Sequence, residues 1–283
     1  MTSPAAAAGE RFIDLHSHSI ASDGALAPAD VVRAARDAGL GAIALTDHDT
    51  IGGIAEATAA ARELGVRVVP GCELSAYDGD IEVHLLALHI ADEDALAASL
   101  ALFQRERVDR AQAMVERLTH LGAPVSMEDV MREAAGGAVG RPHVARALVH
   151  AGHVADQRTA FDRFLANGRP AYVPKPRLLA SDAIDLAHSA GALAVWAHPA
   201  RLGTRERVVR LASHGLDGIE VLHPSHTPQE IERYGRFATE LGLVPSGGSD
   251  WHGATEGFRT LGCMNVPAEW LARQDERLAA RAA

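Results

Sequence analysis

The feature of this sequence that most limits its fold is a repeated alternation of short apolar segments and amphipathic helices. Seven apolar segments of strand length occur, at residues 12–15, 42–46, 66–69, 82–87, 192–197, 218–222 and 243–246. Helical patterns separate most of them, for example at 28–38 and 53–64. Strands that alternate with helices in this way predict an α/β fold with a buried, parallel sheet.

The alternation is interrupted once by a long stretch without any strand pattern. Four helical patterns follow one another there, at residues 98–120, 126–135, 142–151 and 156–166. A segment with three prolines, 168–177, then returns the chain to the alternating pattern. We therefore predict a discontinuous strand-and-helix domain at 11–97 and 178–266, an all-helical insertion at 98–177 that covers the active site, and a C-terminal helix at 267–283.

Composition excludes several classes of function. The net charge of −10 argues against a broad basic surface for duplex nucleic acid. No apolar run is long enough to cross a membrane, and the first eleven residues lack the basic start and apolar core of a signal peptide. The two cysteines, far apart in sequence, suggest no disulfide framework. A cytoplasmic protein without membrane partners is expected, and the oligomeric state is left open.

Histidine and carboxylate side chains stand on or just after nearly every predicted strand. They are His16, His18, Asp47, His48, Glu73, His84, His198, His223, Asp250 and His252. The carboxyl ends of strands in a parallel barrel converge on one face, so these side chains are expected to lie close together. His16 and His18 share one face of an extended chain because side chains repeat every two residues. Imidazoles and carboxylates in such number predict a metal site.

Six motifs together resemble those of the PHP (polymerase and histidinol phosphatase) family of metal-dependent phosphoesterases. The motifs are LHSHSIASDG, ALTDHDT, PGCELS, VHLLAL, AHPARL and GGSDWHG, and the resemblance covers residues 12–253. The resemblance implies a distorted (β/α)7 barrel, here with an all-helical insertion, and a centre of three divalent metal ions at the carboxyl ends of the strands.

The motif positions imply which residues bind which ion. The expected ligands are His16, His18 and Asp250 for the first ion, Asp23, His48 and His252 for the second, and His84 and His198 for the third, with Glu73 bridging the first and third. Position 23 is histidine in some relatives and aspartate here, which makes the site harder and more negative. Manganese is the favoured metal, and zinc or iron are alternatives.

The insertion, with its GRPHVA motif and the YVPK return, resembles a subgroup that acts on nucleotides. Members of that subgroup remove the 3′-phosphate of nucleoside 3′,5′-bisphosphates, hydrolyse nucleoside monophosphates such as AMP, or trim short RNA from 5′ to 3′. We therefore expect a phosphoric monoester hydrolase acting on a small phosphorylated nucleotide or a short oligoribonucleotide. A hydroxide that bridges two metal ions is the expected nucleophile.

Further residues are candidates for contact with the substrate or for catalysis. Arg141, His143, Lys175 and Arg177 lie in the GRPH and return segments and are expected to bind phosphoryl oxygens or the nucleotide. His223 is a candidate proton donor to the leaving group. Asp47 is a candidate catalytic residue that orients metal ligands through its carboxylate.

Three other interpretations stay open. A metal-dependent amidohydrolase also begins with His-x-His on a barrel strand. Many of these enzymes need a carbamylated lysine in the barrel, whereas the single lysine here, Lys175, lies in the return segment outside the predicted barrel. A histidinol phosphate phosphatase would apply the same chemistry to another alcohol. A metal-binding module without catalysis is the third. A serine hydrolase is disfavoured because no Gly-x-Ser-x-Gly turn occurs.

Overall fold

The computed structural model describes residues 12–136, 139–174 and 177–282, so Lys175 lies outside the described residues. The seven described strands are β1 (Ile13–Asp14), β2 (Ala42–Leu45), β3 (Arg67–Asp78), β4 (Ile81–Leu88), β5 (Leu193–Ala197), β6 (Gly218–Leu222) and β7 (Val244–Gly247). The described α-helices are α1 (Pro28–Asp37), α2 (Ile54–Leu64), α3 (Glu93–His120), α4 (Met127–Ala134), α5 (Arg141–His150), α6 (Gln157–Ala160), α7 (Ala180–Ser189), α8 (Arg205–Ser213), α9 (Pro228–Leu241) and α10 (Ala268–Ala282). A π-helical turn, Phe161–Leu165, continues α6.

The strands form one sheet in the order β1 to β7, and its two edge strands meet. The Leu15 amide donates to the Gly247 carbonyl at 3.0 Å, and Ser17 forms a parallel bridge with Trp251. The sheet is therefore nearly closed into a barrel, and the predicted seven-stranded α/β class is confirmed.

The prediction of a fully parallel sheet is wrong at β4. This strand runs antiparallel to both β3 and β5, while the other neighbouring pairs are parallel. The cause is the short connection between β3 and β4, where Gly79 adopts a positive φ of 64°. A two-residue loop can join only antiparallel strands, whereas a parallel pair needs a crossover of a dozen or more residues.

Helix α3 links two apolar clusters. Near its start, Leu96 and Leu100 pack into the barrel cluster, together with strand residues such as Leu85. Near its end, Met114 and Leu118 pack into a second cluster built from residues between 111 and 171. The helical segment therefore has a core of its own and is joined to the barrel by one continuous helix. Among the described residues, no helix is both long enough and apolar enough to cross a membrane.

Candidate metal centre

Glu73 lies at the centre of the polar cluster at one end of the barrel. Five imidazole rings have a nitrogen within 3.2 Å of its two carboxylate oxygens, and they belong to His16, His18, His48, His84 and His198. His84 Nδ1 and His198 Nε2 face Glu73 Oε1 at 2.6 Å and 2.9 Å, and the other three rings face Oε2. One carboxylate placed this way can bridge two cations.

Asp250 completes a group with the two histidines after β1. Its Oδ1 atom lies 3.5 Å from His16 Nε2 and 3.3 Å from His18 Nε2. Together with Glu73, the potential ligand atoms of these residues lie within 4.8 Å of one another. This is the group that the motif positions assign to the first ion.

Two more groups border the first. His18, Asp23, His48 and His252 form one, with His252 Nε2 3.2 Å from Asp23 Oδ1. His48, Glu73 and His84 form the other, and the His198 ring faces His84 at a centroid distance of 5.1 Å. The structure thus brings the nine residues at the motif positions into one cluster.

The donor set fits divalent cations. Both ring nitrogens of His18 and Nδ1 of His48 are buried and make no hydrogen bond to the described residues. A buried polar atom without a partner costs about 1–3 kcal/mol, and a bound cation would satisfy these lone pairs. Nitrogen and oxygen donors in this mixture suit zinc, manganese and iron.

The electrostatics of the cluster keep its carboxylates ionised. Burial opposes the ionisation of Glu73 and of Asp250, but the surrounding histidines outweigh it and lower both pKa values well below the usual range. Burial also lowers the pKa of His48, to about 3, so this imidazole is neutral at pH 7. Ionised carboxylates and neutral imidazoles are the forms that bind metals.

The comparisons with known proteins agree with this geometry. Residues 14–164 match the family model described as PHP domain. The chain belongs to the PHP domain family. Over 257 residues it is 39% identical to a 3′,5′-nucleoside bisphosphate phosphatase of Chromobacterium violaceum, covering 88% of this chain and 90% of that protein. It is 36% identical to the 5′-3′ exoribonuclease Rnm of Escherichia coli, covering 84% of each chain.

A solved structure agrees with the PHP assignment. A protein from Bifidobacterium adolescentis, assigned as a metal-dependent phosphoesterase, superimposes with a TM-score of 0.86 at 33% identity, over 94% of this chain and 96% of that one. The comparisons confirm the predicted family, the predicted fold class and the predicted enzyme class, a hydrolase of phosphate esters.

Glu220 is a buried residue of the PHP site that the sequence reasoning missed. It lies on β6 and places Oε1 3.3 Å from His16 Nδ1, while Oε2 accepts the His198 amide at 2.6 Å. A carboxylate on Nδ1 holds the proton there and leaves Nε2 of His16 free to face Glu73 and Asp250. The signal in the sequence was a glutamate inside the otherwise apolar strand GIEVL.

Arg259 is a second residue that sequence reasoning missed. Its guanidinium donates to Asp250 Oδ2, on the side of the carboxylate away from His16 and His18. Arg259 lies in the loop after β7, and no periodicity or motif marked it. It brings a positive charge to the wall of the cavity that Glu73 and Asp250 also line.

The backbone around the PHP site is strained where two candidate ligands leave their strands. His198 and Asp250 have positive φ values of 31° and 53°. Such values are uncommon for residues other than glycine, and they concentrate at functional sites. Gly248 permits the tight packing beside β1, because a Cβ atom there would meet the His16 backbone nitrogen at 2.5 Å.

Asp47 lies beneath the cluster and faces the turn that carries Asp23. Its carboxylate accepts the Ser19 amide and hydroxyl, each at 2.7 Å, and the Ser22 hydroxyl at 2.6 Å. Asp47 thus holds the turn between His18 and Asp23, two candidate metal ligands. This contact suits the orienting role that the sequence predicts for Asp47.

His223 points its Nε2 atom into the cluster. Its Nδ1 atom accepts the Ser225 amide at 3.1 Å and lies 2.7 Å from the Ser225 hydroxyl. Because Nδ1 is an acceptor, the proton of the neutral ring is on Nε2. That atom is buried, lies 3.6 Å from Asp250 Oδ2 and makes no hydrogen bond to the described residues.

The candidate substrate-binding residues divide between two cavities. Arg141 and His143, on α5, line a cavity of about 250 Å³ whose opposite wall includes Asp23, His48 and His84. His143 Nδ1 accepts the Gly140 amide at 2.9 Å, and burial lowers its pKa to about 4.

Arg177 lines a neighbouring cavity of about 140 Å³ that contains none of the nine motif residues. Its guanidinium pairs with Asp80 at 2.6 Å and lies 5.3 Å from the centre of the Tyr77 ring. The structure therefore brings Arg141 and His143 beside the cluster and places Arg177 against the turn of the β3–β4 hairpin.

Proposed function

We propose that this PHP protein hydrolyses phosphate monoesters of nucleotides, as a 3′-phosphatase of nucleoside 3′,5′-bisphosphates or as a 5′-nucleotidase on AMP. The observation that carries the proposal is the cluster around Glu73, because it lies against a cavity whose other wall is rich in arginine. The names of the bisphosphate phosphatase and the exoribonuclease support a nucleotide as the substrate.

Three divalent ions, with manganese favoured, are proposed to be held by the nine motif residues as the sequence assigns them. Bound ions would lower the pKa of a water molecule to near neutrality and would neutralise charge on the phosphoryl oxygens. Glu220 would keep His16 in the tautomer that presents Nε2, and Asp47 would hold the turn between His18 and Asp23.

His223 is proposed to donate a hydrogen bond from Nε2 to the leaving oxygen. Its Nε2 carries the proton, faces the cluster and lines the same cavity as Glu73. When the bond between phosphorus and the ester oxygen breaks, negative charge develops on that oxygen. A neutral imidazole keeps its one N–H proton, so Nε2 stabilises this charge as a hydrogen-bond donor, and water supplies the proton. Arg259, which donates to the same Asp250 oxygen that His223 Nε2 approaches, is proposed to stabilise negative charge on the phosphoryl group.

The same site supports a second candidate, a 5′-3′ exoribonuclease on short RNA. The observation that favours it is the 36% identity to a protein of that name over 84% of the chain. Hydrolysis of the phosphodiester on the 3′ oxygen of the first nucleotide needs the same nucleophile and has the same leaving oxygen. It differs in the second ester group on the phosphorus. The net charge of −10 favours short RNA over long RNA.

The test is phosphate release from adenosine 3′,5′-bisphosphate, AMP, histidinol phosphate and a 5′-phosphorylated oligoribonucleotide, with Mn²⁺ and after chelation. We expect metal-dependent release from the nucleotides above that from histidinol phosphate. Glu73→Gln should reduce the rate more than about 100-fold and lower the metal content, because the bridging charge is lost. Glu206→Gln, an exposed carboxylate on α8, is the control. Release unaffected by chelation, or full activity of Glu73→Gln, would contradict the proposal.

A further inference from the structure

Phe258 is an aromatic side chain that the fold leaves in solvent. It lies in the loop between β7 and α10 and is 72% exposed, whereas the other exposed large apolar side chains of the described residues reach at most 48%. Single apolar residues on a surface are common and need no explanation by themselves. What distinguishes Phe258 is its position beside the candidate metal centre.

Arg259 connects Phe258 to the metal centre. Its guanidinium carbon lies 5.9 Å from the centre of the Phe258 ring, within the range of a cation–π contact. The same guanidinium donates to Asp250 Oδ2 and lines a cavity of about 210 Å³ together with Glu73 and His223. The exposed ring therefore lies beside the mouth of a cavity that candidate metal ligands line.

The candidate metal centre borders two cavities that differ in their walls. The cavity of about 250 Å³ is bounded by α3 and α5 of the helical segment. The cavity of about 210 Å³ is lined by residues on or after the barrel strands, and no described residue of the helical segment lines it. The two cavities adjoin at His48 and His84, which line both. A substrate longer than one nucleotide can therefore extend from the covered cavity, across the metal centre, into the open one.

We propose that Phe258 is a stacking platform for a base of short RNA, the base of the nucleotide that follows the phosphodiester being hydrolysed. Every base has a π face, so an aromatic ring binds bases with little sequence preference, and one such contact changes binding about 5- to 150-fold. The ring is exposed in the free protein, so a base reaches it without displacing another side chain. The guanidinium of Arg259 beside the ring adds a positive charge where the RNA backbone would pass.

The proposal rests on the exoribonuclease candidate of the proposed function and adds a residue that favours RNA. In RNA, the phosphate being hydrolysed carries a second nucleotide, whose base would extend into the open cavity and reach Phe258. In a nucleoside 3′,5′-bisphosphate, the hydrolysed phosphate is terminal, so nothing extends from it toward the ring. One side chain would thus act on the hydrolysis of RNA and not on the hydrolysis of the bisphosphate.

The test compares a 5′-phosphorylated diadenylate with adenosine 3′,5′-bisphosphate. Phe258→Ala should lower the ratio of kcat/KM for the diadenylate to kcat/KM for the bisphosphate about 5- to 150-fold, mainly through KM, because a binding contact is lost. Phe258→Trp, which keeps a stacking surface, should retain most of the ratio. An unchanged ratio in Phe258→Ala would overturn the proposal.

A diadenylate whose second nucleotide lacks its base separates stacking from a structural role of the loop. In the unmodified enzyme, removing that base should lower kcat/KM by about as much as Phe258→Ala does. In Phe258→Ala, removing the base should have no further effect. A variant that merely distorts the loop would lose as much activity on the substrate without the base, and that result would also overturn the proposal.

Phe12→Ala is the matched control. Phe12 is another exposed phenylalanine, but it directly precedes β1, at the end of that strand away from the candidate ligands. We expect Phe12→Ala to leave the ratio of the two constants unchanged. Thermal melts of both variants will report any general loss of structure.

An inhibition measurement distinguishes failure of this proposal from failure of the proposed function. If the enzyme hydrolyses p-nitrophenyl phosphate but no nucleotide and no RNA, the proposed function fails. In that case, and also if only the diadenylate resists hydrolysis, the diadenylate is measured as an inhibitor of p-nitrophenyl phosphate hydrolysis. Weaker inhibition of Phe258→Ala than of the unmodified enzyme supports the platform. Equal inhibition of both proteins, or inhibition of neither, overturns it.

Discussion

At the scale of single residues, hydrogen bonds decide which nitrogen of each histidine faces the centre. Glu220 holds Nδ1 of His16, and the Ser225 amide donates to Nδ1 of His223. The two contacts have opposite effects. An acceptor on Nδ1 leaves Nε2 of His16 free to bind a cation, whereas a donor on Nδ1 leaves a proton on Nε2 of His223. Two histidines of one cluster thus suit different roles.

The role of His223 can be tested by changing the leaving group. In His223→Ala, hydrolysis of adenosine 3′,5′-bisphosphate should slow about 100-fold or more, because the negative charge that develops on the sugar oxygen loses its hydrogen-bond donor. Hydrolysis of p-nitrophenyl phosphate should slow much less, because its leaving group is stable as an anion. Steady-state rates with both substrates and the metal content of the variant provide the measurement. Equal losses with both substrates, together with a loss of metal, would instead make His223 a metal ligand.

At the scale of elements, the β3–β4 hairpin brings the bridging carboxylate next to one of its histidines. Ser75 pairs with His84 and Glu73 pairs with Leu86, so Glu73 and His84 are diagonal neighbours on one face of the hairpin. The antiparallel direction of β4 is therefore required for this contact. A parallel strand in the place of β4 would pair with β3 in a different register, and His84 would then not lie beside Glu73.

The end of the hairpin is tied to α8 by ion pairs, and this predicts a dependence of stability on pH. Burial disfavours the charge of Asp78, but Arg210 and Arg207 outweigh it and lower its pKa. A carboxylate whose pKa is lower in the folded state stabilises it above the unfolded value of about 3.9, and this contribution is lost as the pH falls.

Asp78→Asn should therefore lower the free energy of unfolding by about 1–3 kcal/mol at pH 7. The difference from the unmodified protein should shrink as the pH approaches 4 and falls below it. Urea unfolding at several pH values measures both effects. Asp80→Asn is the control, because Asp80 pairs with Arg177 at the exposed turn of the same hairpin and should matter little. A difference that stays constant with pH would exclude this ion pair as the cause.

At the scale of the whole molecule, the candidate centre joins distant parts of the chain. Its residues run from His16 after β1 to His252 after β7, so a bound cation would link the segments that follow the first and last strands of the barrel. Ions that bind only the folded state raise its stability by mass action.

Removal of metal should therefore lower the melting temperature. At metal concentrations about 100-fold above Kd, binding adds about 2.7 kcal/mol, which corresponds to about 5 °C or more for a chain of this size. Thermal melts with Mn²⁺ and after chelation measure the change. In Glu73→Gln the shift should be smaller, because the carboxylate proposed to bridge two of the three ions is lost. A shift of equal size in that variant would place the stabilising ions elsewhere.

The sequence alone determined the features that depend on short spacings. The alternation of strands and helices, the helical interruption and the nine clustered motif residues are each encoded within a few neighbouring positions, so periodicity and local motifs revealed them. His16 and His18 illustrate this, since two residues of separation place them on one face.

Only the tertiary structure decided the direction of β4 and the residues that surround the motif positions. Glu220 contacts His16 across 204 positions of sequence. Arg207 pairs with Asp78 across 129 positions of sequence, once α8 has folded against the end of the β3–β4 hairpin. Such contacts depend on how separate elements pack, and no local pattern carries that information.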